Sequence, residues 1–249
     1  MSKARRYLSD SELISLREQN VLVEGLQGLV KIDRDVALGK AVKLRIGAIV
    51  TGSSVLGSSC DIGLAGGAIV ENSQLGKDSA VTGGGKVFHS VSGPHLRNYG
   101  SQIKHSKIGS NFVIRSMAET KNLIAGSGCK MKMFSRAYNS EIGDKNLIGS
   151  HSILSYCKLG DQNEIGDYCS IEHCRMGDNV KIGSYVHVKG NQEGDETIIE
   201  DNCVLGDHVV IHPGTRIHAG TKIPDYALVF TRDQKTVMSL IDMNQTFNG

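Results

Sequence analysis

Aliphatic residues recur at every sixth position along much of the chain. Near the N-terminus one unbroken column comprises Leu26, Ile32, Leu38, Leu44, Val50, Leu56 and Ile62. After a slip of one residue the column resumes as Ile69, Leu75 and Val81. Towards the other end it returns as Ile199, Leu205, Ile211, Ile217, Ile223 and Val229. A period of six suits a short strand followed by a tight turn, so the pattern predicts a solenoid of short strands.

A stricter and longer repeat lies between these two sections. Its first column is Ile108, Ala125, Ile142, Leu159 and Met176, each followed by glycine. The columns six and twelve positions further on are Ile114, Met131, Ile148, Ile165 and Ile182, and then Thr120, Ala137, Leu154, Ile171 and Val188. Small residues form one more column, Ala118, Ser135, Ser152, Cys169 and Val186. The spacing predicts five coils of three strands around a narrow interior, with glycine where a corner needs positive φ or close backbone approach.

The pattern divides the chain into five segments. Residues 1–25 are predicted to form a helical cap with an N-cap serine, Glu12 as its capping-box partner and Leu8 against Leu13 as a staple. Residues 26–82 form the first β-helix section and 108–229 the main section. Residues 83–107 interrupt the columns and are predicted to be an inserted loop or irregular coil. Residues 230–249 lose the period and are predicted to be a C-terminal tail with a hairpin or short helix.

Three stretches resemble one known family. Gly93-Pro94-His95-Leu96-Arg97, Ile108 to Arg115, and the segment ending in Ser140-Glu141-Ile142-Gly143 are similar to the acetyltransferase domain of the bifunctional N-acetylglucosamine-1-phosphate uridyltransferases. The whole repeat pattern resembles the hexapeptide-repeat transferases. This resemblance implies an all-β, left-handed parallel β-helix with active sites between the subunits of a homotrimer.

The resemblance also implies roles for individual residues. Arg97 follows a glycine-proline pair in the place of an arginine that holds the sugar phosphate, and Arg115 lies near the place of a phosphate-binding lysine. Met133 stands where the family has its histidine base, and Arg136 stands where it has a tyrosine that contacts the sugar. Asn191 begins a segment that loosely resembles the family's Asn-Tyr-Asp-Gly.

The cationic side chains predict an anion site independently of the resemblance. Arg115 and Lys132 are one long repeat apart, so they should stack on one wall at about one strand spacing, ~5 Å. With Arg97 and Arg136 they are predicted to bind a phosphate group, for which arginine geometry is suited. The alternative is that these charges are exposed to solvent and only favour solubility.

Acyl transfer requires a general base, for which histidine is the natural residue near neutral pH. Three of the nine histidines are candidates: His89 and His95 in the interrupted segment, and His151. His151 belongs to an outward column that also contains Met117, Phe134, Tyr168 and Tyr185. For this column a subunit interface is the stronger interpretation.

Composition and charge narrow the function classes. Because 28 basic residues are balanced by 26 acidic ones, the net charge of +2 is too small to predict nucleic-acid binding. No signal core and no long apolar run is present, so we expect a cytoplasmic protein that does not associate with membranes. The six cysteines form no CxxC pair, which predicts reduced, buried thiols and no metal site.

Three functions remain as hypotheses. The first is transfer of an acyl group from acetyl-CoA or another acyl-CoA to a sugar or sugar phosphate. The second is a catalytically inactive scaffold or regulatory subunit that displays its flat faces to protein partners. The third is a zinc enzyme similar to the γ-class carbonic anhydrases, which needs three histidines from two subunits.

Overall fold

The structure is a computed structural model that describes residues 7–24, 29–191, 196–232 and 235–240. The chain divides into two compact units, Met1–Phe134 and Ser135–Gly249. In each unit the chain passes repeatedly through three sheets of parallel strands, which we call faces 1, 2 and 3, and the turns between them are corners 1–2, 2–3 and 3–1. The predicted all-β parallel β-helix is confirmed, and its winding is consistent with the expected left hand.

The strands of the first unit are short. Face 1 contains β1 (Leu22–Val23), β4 (Lys43–Leu44), β7 (Asp61–Ile62), β10 (Ala80–Thr82), β13 (Arg97–Tyr99), β16 (Val113–Ile114) and β19 (Lys130–Met131). Face 2 contains β2 (Lys31–Ile32), β5 (Ala48–Thr51), β8 (Ala68–Glu71), β11 (Gly85–Phe88), β14 (Gln102–Lys104) and β17 (Glu119–Lys121). Face 3 contains β3 (Ala37–Leu38), β6 (Val55–Leu56), β9 (Gln74–Leu75), β12 (Val91–Ser92), β15 (Lys107–Ile108) and β18 (Ile124–Ala125).

The second unit repeats this arrangement. Face 1 contains β22 (Leu147–Ile148), β25 (Glu164–Ile165), β28 (Lys181–Ile182), β31 (Val204–Leu205) and β34 (Lys222–Ile223). Face 2 contains β20 (Arg136–Tyr138), β23 (Ile153–Ser155), β26 (Ser170–Glu172), β29 (His187–Val188), β32 (Val210–Ile211), β35 (Ala227–Arg232) and β36 (Lys235–Leu240). Face 3 contains β21 (Glu141–Ile142), β24 (Lys158–Leu159), β27 (Cys174–Met176), β30 (Thr197–Ile199) and β33 (Arg216–Ile217).

A short helix precedes the first coils. α1 (Asp10–Ser15) continues into the 3-10 helix η1 (Leu16–Gln19), and Leu13 is buried. Ser9 is the N-cap: its backbone N–H donates to Glu12 Oε2 at 2.8 Å, and the Glu12 N–H donates to Ser9 Oγ at 3.4 Å. The predicted capping box is therefore confirmed.

The predicted inward columns form the core. The columns of aliphatic and small residues between residues 108 and 188 are all buried, with relative exposures between 0% and 7%. Glycine follows each residue of the first inward column, and at Gly143 the reason is not a positive φ. A Cβ on Gly143 would lie 2.1 Å from Asp161 Oδ1 and 2.8 Å from the carbonyl carbon of Gly160, so close approach of the next coil requires glycine.

Residues 83–107 correct the prediction of an inserted loop or irregular coil. They contain β11, β12, β13 and β14, which pair in parallel with the coils on both sides. The aliphatic pattern is lost because inward positions hold polar side chains, among them Ser92, Asn98 and Ser101. Asn98 is fully buried, and its Oδ1 accepts the Ser101 N–H at 2.9 Å while its Nδ2 donates to the Ser101 carbonyl at 3.2 Å. Its polar groups are thus satisfied inside the coil.

A second correction concerns the slip in the first section. Val70, and not Ile69, is the fully buried residue of β8, and it pairs with Val50 of β5. Val50 in turn pairs with Ile32 of β2, and the step from Ile32 to Val50 is shorter than the step from Val50 to Val70. The second of these coils is longer because Leu64, Ala65 and Gly66 are exposed at corner 1–2.

Aspartates at corner 3–1 of the second unit connect successive coils. The Asp144 N–H donates to Asp161 Oδ1 at 2.7 Å, and the Asp161 N–H donates to Asp178 Oδ1 at the same distance. The Asp178 N–H donates to Asp201 Oδ1 at 2.8 Å. These carboxylates satisfy backbone donors, which assigns them a structural role.

The end of the described chain is a hairpin. Strands β35 and β36 pair antiparallel from Ala227 opposite Leu240 to Arg232 opposite Lys235. Of the two structures predicted for the tail, the hairpin is confirmed, and residues 241–249 lie outside the described residues. Within the described ranges, no helix is long and apolar enough to cross a membrane.

Candidate functional site at corner 3–1 of the first unit

The three predicted catalytic histidines lie at three different corners. His89 lies at corner 2–3 and His95 at corner 3–1 of the first unit, whereas His151 lies at corner 1–2 of the second. Each has left-handed backbone conformation, with φ of 48°, 62° and 59°. His89 and His95 are not brought together, although they belong to the same coil. Their catalytic roles remain predictions.

His95 has an acidic neighbour that sequence reasoning missed. Its Nδ1 lies 3.9 Å from Asp78 Oδ2, and both side chains are about two-fifths exposed. That distance is too long for a hydrogen bond but close enough for an electrostatic contact. Asp78 occupies the equivalent position on the preceding coil, so the coil repeat itself was the signal that could have found it.

Arg97 completes this corner. Its Nη1 donates to the backbone carbonyl of Asp78 and, at 3.2 Å, to that of Leu96. The guanidinium is therefore held beside His95, and the Asp78 carboxylate remains directed to the imidazole. The corner thus combines a histidine, a carboxylate and a positioned cation.

Two more predicted cations lie on the same face of the same unit. Ile114 pairs with Met131, and the Arg115 N–H donates to the Met131 carbonyl at 3.0 Å, so Arg115 and Lys132 occupy equivalent positions on neighbouring strands. The guanidinium carbon of Arg115 lies 5.5 Å from the ring centroid of Tyr99, a cation–π distance. From the strand register, the Cα atoms of Arg97 and Arg115 are roughly 8 Å apart.

The remaining predicted site residues are not part of this group. Arg136 is exposed on β20 of the second unit, and Asn191 is exposed at the end of a described range. Met133 is half exposed beside Phe134 at corner 1–2 of the first unit. Met133 thus lies at a different corner of the first unit from His95, and Arg136 and Asn191 belong to the second unit.

Stacked rings cover corner 1–2 of the second unit. We call this surface the aromatic corner, and it consists of His151, Tyr168, Tyr185, His208 and Tyr226. Consecutive ring centroids are 4.7 to 5.1 Å apart and the rings are parallel within 5°. Tyr168 and Tyr185 are nearly half exposed. The sequence columns missed His208 and Tyr226 because the step from Tyr185 to His208 is longer than the regular repeat.

A groove of about 580 Å³ lies at corner 1–2 of the first unit. Its floor is glycine, including Gly47 and Gly67, and its sides include the exposed side chains of Ile46 and Leu64. The guanidinium of Arg45 in its wall already donates to Asp61 Oδ1 at 2.7 Å. The lining of the groove is mostly apolar, and none of the three candidate histidines is part of it.

Among the residues that the structure describes, the cysteines and the possible metal ligands form no second candidate site. All six cysteines are free and buried, and burial raises the pKa of Cys60 and of Cys157 to about 11. A thiol with so high a pKa is a poor nucleophile at neutral pH. In the same described ranges, no group of three His, Cys, Asp or Glu side chains is arranged to hold a metal ion.

Comparison with known proteins gives one curated relative in sequence. The chain is 32% identical over 130 residues to the bifunctional protein GlmU of Listeria welshimeri, a match that covers 49% of this chain and 26% of that protein. The chain therefore spans about a quarter of this relative's length. No protein-family model matches the chain.

Structural similarity is of modest degree. The UDP-N-acetylglucosamine O-acyltransferase of Moraxella catarrhalis is 17% identical with a TM-score of 0.39, over 86% of this chain and 75% of that one. The UDP-N-acetylglucosamine acyltransferase of Francisella novicida is 16% identical with a TM-score of 0.36, over 90% and 71%. A hexapeptide transferase family protein of Anaplasma phagocytophilum is 13% identical with a TM-score of 0.21, over 92% and 87%.

The sequence match and the observed coils both test the predicted resemblance to the hexapeptide-repeat transferases. The match covers about half of the chain, and the coils repeat the three-strand pattern that the six-residue columns predicted. Together they confirm the resemblance of this chain to the hexapeptide-repeat transferase family.

Proposed function

We propose that the protein is an acyltransferase that moves an acyl group from an acyl-CoA, such as acetyl-CoA, to a sugar or sugar phosphate. The observation that carries this proposal is the contact of His95 with Asp78 beside Arg97 at corner 3–1 of the first unit. The resemblance to hexapeptide-repeat transferases supports the reaction class.

His95 is the proposed general base. Asp78 faces Nδ1, so it favours the tautomer with hydrogen on Nδ1 and leaves Nε2 as the proton acceptor. Nε2 accepts the proton of the acceptor hydroxyl or amine as its oxygen or nitrogen attacks the acyl carbonyl. The imidazolium, stabilised by Asp78, then returns this proton to the departing sulfur. The thioester donor supplies the activated carbonyl.

The cations of face 1 are proposed to hold the acceptor. Arg97 begins β13 on face 1, two residues after His95, and Arg115 and Lys132 follow the next two strands of this face. Their positive charges suit the phosphate of a sugar phosphate. Tyr99 lies under the Arg115 guanidinium and limits its movement. Binding there would bring the acceptor's sugar towards the imidazole.

We further propose that the protein acts as a homotrimer. The aromatic corner is a flat, half-exposed row of rings on one edge of the second unit, of the kind enriched at subunit interfaces.

The test of the proposed function is release of free CoA thiol from acetyl-CoA in the presence of hexosamine 1-phosphates. The protein's own thiols are buried, so they add little background to a thiol assay. His95→Gln is expected to lower kcat by about 10²- to 10⁴-fold. His218→Gln is the matched control, because its Nδ1 also lies near a carboxylate oxygen, 3.7 Å from Glu200 Oε2. Loss of activity in the control and not in His95→Gln would refute the assignment.

A second function is favoured by one observation, the aromatic corner. A scaffold that binds a protein partner would use this surface and need no small-molecule ligand. Absence of both turnover and acetyl-CoA binding at millimolar ligand, measured by titration calorimetry, would replace the acyltransferase proposal with the scaffold.

A further inference from the structure

Positive charge is concentrated in the middle of the chain. Between Asp78 and Glu141 the sequence contains nine lysines and arginines and one acidic residue, Glu119. The whole chain has a formal net charge of only +2. The rest of the chain therefore carries net negative charge, and the coils of this segment carry a local positive field.

Part of this charge gathers at corner 2–3 of the first unit, away from the proposed acyl-transfer site at corner 3–1. We call this surface the cationic corner, and it consists of His89, Lys104, His105, Lys107 and Lys121. Lys104 of β14 pairs in register with Lys121 of β17, one strand away. Lys107 begins β15, just after His105.

Two imidazoles stack at the centre of the cationic corner. The ring centroids of His89 and His105 are 5.1 Å apart and the rings are parallel within 6°. Both residues have a left-handed φ of 48° and exposed side chains. Because the rings cover each other's faces, their N–H groups are available only at the exposed edges.

Acidic groups compensate little of this charge. Lys104 Nζ lies 3.5 Å from Glu119 Oε1, and Glu71 of β8 pairs in register with Phe88, the residue before His89. Lys107 and Lys121 are exposed and form no ion pair within the described part of the chain. The backbones of adjacent strands are about 5 Å apart, and ammonium groups carried on them repel each other when they approach unless water or an anion lies between them.

We propose that the cationic corner binds a small anion that carries two adjacent phosphate groups. The imidazoles and the lysine pair each repeat at one strand spacing, so each phosphate group can meet one imidazole N–H and one ammonium. Phosphate oxygens accept several hydrogen bonds at once, which suits this convergence of donors. The ligand class is a diphosphate, either free or as part of a nucleotide.

The variants are chosen to preserve the backbone. Asparagine tolerates left-handed φ, and Asn72 and Asn122 naturally occupy equivalent corner positions with φ of 46° and 53°. His89→Asn and His105→Asn therefore remove the imidazole rings, and Lys121→Ala removes an ammonium group, without straining the coil. His173→Asn is the matched control, because His173 stacks on Tyr156 at 4.7 Å at corner 2–3 of the second unit.

The experiment is calorimetric titration of the full chain with pyrophosphate, inorganic phosphate and adenosine diphosphate at low salt. We expect saturable binding of pyrophosphate, at least about tenfold tighter than that of phosphate, and a tenfold or greater loss in each corner variant. Similar affinity for adenosine diphosphate would identify a nucleotide as the source of the diphosphate, and much weaker affinity would identify free diphosphate.

The same titrations can overturn the proposal. Absence of saturable pyrophosphate binding at millimolar concentration would reject it. Equal affinity in the corner variants and the parent, with a loss in Arg115→Ala, would place the anion on face 1 instead. Equal weakening by His173→Asn would show a nonspecific charge or folding effect, and melting curves of each variant would confirm that the fold is retained.

Discussion

Glycine, asparagine and aromatic residues occupy the corners of the coils for different structural reasons. Gly143 is needed because the neighbouring coil approaches closely, although its φ is not positive. The positions that do have left-handed φ are occupied by residues such as Asn122, His105 and Tyr168. Asparagine tolerates this conformation, and at His105 and Tyr168 stacking on the rings of neighbouring coils offsets part of the backbone cost.

Gly143→Val is predicted to destabilise the second unit. The added side chain would collide with Asp161 Oδ1 and the Gly160 backbone, and overpacking of this kind costs about 1–3 kcal/mol. The melting temperature should fall by several degrees, and an unchanged value would contradict the close approach. Lys145→Ala, at the exposed corner that follows, is the control and should leave the melting temperature nearly unchanged.

The buried thiols are predicted to be unreactive in the folded protein. Burial raises the pKa of Cys157 to about 11, so little thiolate exists at pH 8. An aromatic disulfide reagent should label few or none of the six cysteines until denaturant is added, and then all six. Rapid labelling without denaturant would mean that the coils open easily or that a thiol is exposed.

Arg115→Ala is predicted to raise KM for a phosphorylated acceptor by about tenfold, since a charge-assisted hydrogen bond is worth roughly 1.5–3 kcal/mol. The effect should be absent with the unphosphorylated sugar, because the proposed contact is with the phosphate. Arg175→Ala in the second unit is the control, and its KM should not change. Equal KM values for Arg115→Ala and the parent would remove Arg115 from the acceptor site.

Among the elements, the short strands were predictable and the polar coil was not. Columns of aliphatic residues between positions 108 and 188 predicted the strands because burial required an apolar residue at every sixth position. Between positions 83 and 107 the same strands bury Ser92 and Asn98, and the hydrogen bonds of Asn98 to the backbone of Ser101 satisfy a polar side chain where the pattern expects an apolar one. A search for apolar residues at every sixth position cannot find a strand whose buried residue is polar.

The candidate site could be predicted only in part for a related reason. The equivalence of Arg115 and Lys132 followed from the regular repeat, and the structure confirms it. Asp78 could not be assigned to His95 while the intervening segment was interpreted as a loop. Arg136 was grouped with the other cations by its positive charge, but it lies on a different face, in the second unit.

The capping helix is the element with a predicted pH dependence. Hydrogen bonds from Arg34, and secondarily from Ser9, lower the pKa of Glu12 from its ordinary value of 4.5 to about 2. A depressed carboxyl pKa means that this contribution to stability is present above about pH 4.5 and is lost as the pH falls towards 2. Glu12→Gln should therefore melt at a lower temperature than the parent at pH 6.

The comparison at low pH completes this test. As the pH falls towards 2, the difference in melting temperature between Glu12→Gln and the parent should shrink, because the parent's carboxyl becomes progressively protonated. A difference that is independent of pH would show that the capping contacts do not depend on the charge of Glu12.

At the scale of the whole molecule, assembly is the property that the aromatic corner should control. Sedimentation equilibrium is predicted to give three times the mass of one chain, and Tyr185→Asn should shift the equilibrium towards monomer. Asparagine keeps the left-handed φ of 60° at this position while removing the ring. Tyr156→Asn, at a different corner, is the control. A monomeric parent would contradict the trimer, and a trimeric Tyr185→Asn would exclude Tyr185 from the interface.

The coils between Ala137 and Val188 are equal in length, and this has one more consequence, for how the second unit can change its size. Deleting positions 144–160 would join Gly143 to Asp161, the same pair of residue types that Gly143 and Asp144 form now. Ile165 and Ile171 would then stand where Ile148 and Leu154 stood, and Asp178 would still accept the Asp161 N–H. The length of the second unit is thus adjustable in whole coils. Removal of one complete repeat shortens it by one strand spacing and keeps every column. Removal of one residue fewer shifts the register of the following strands, so that their inward and outward side chains exchange places.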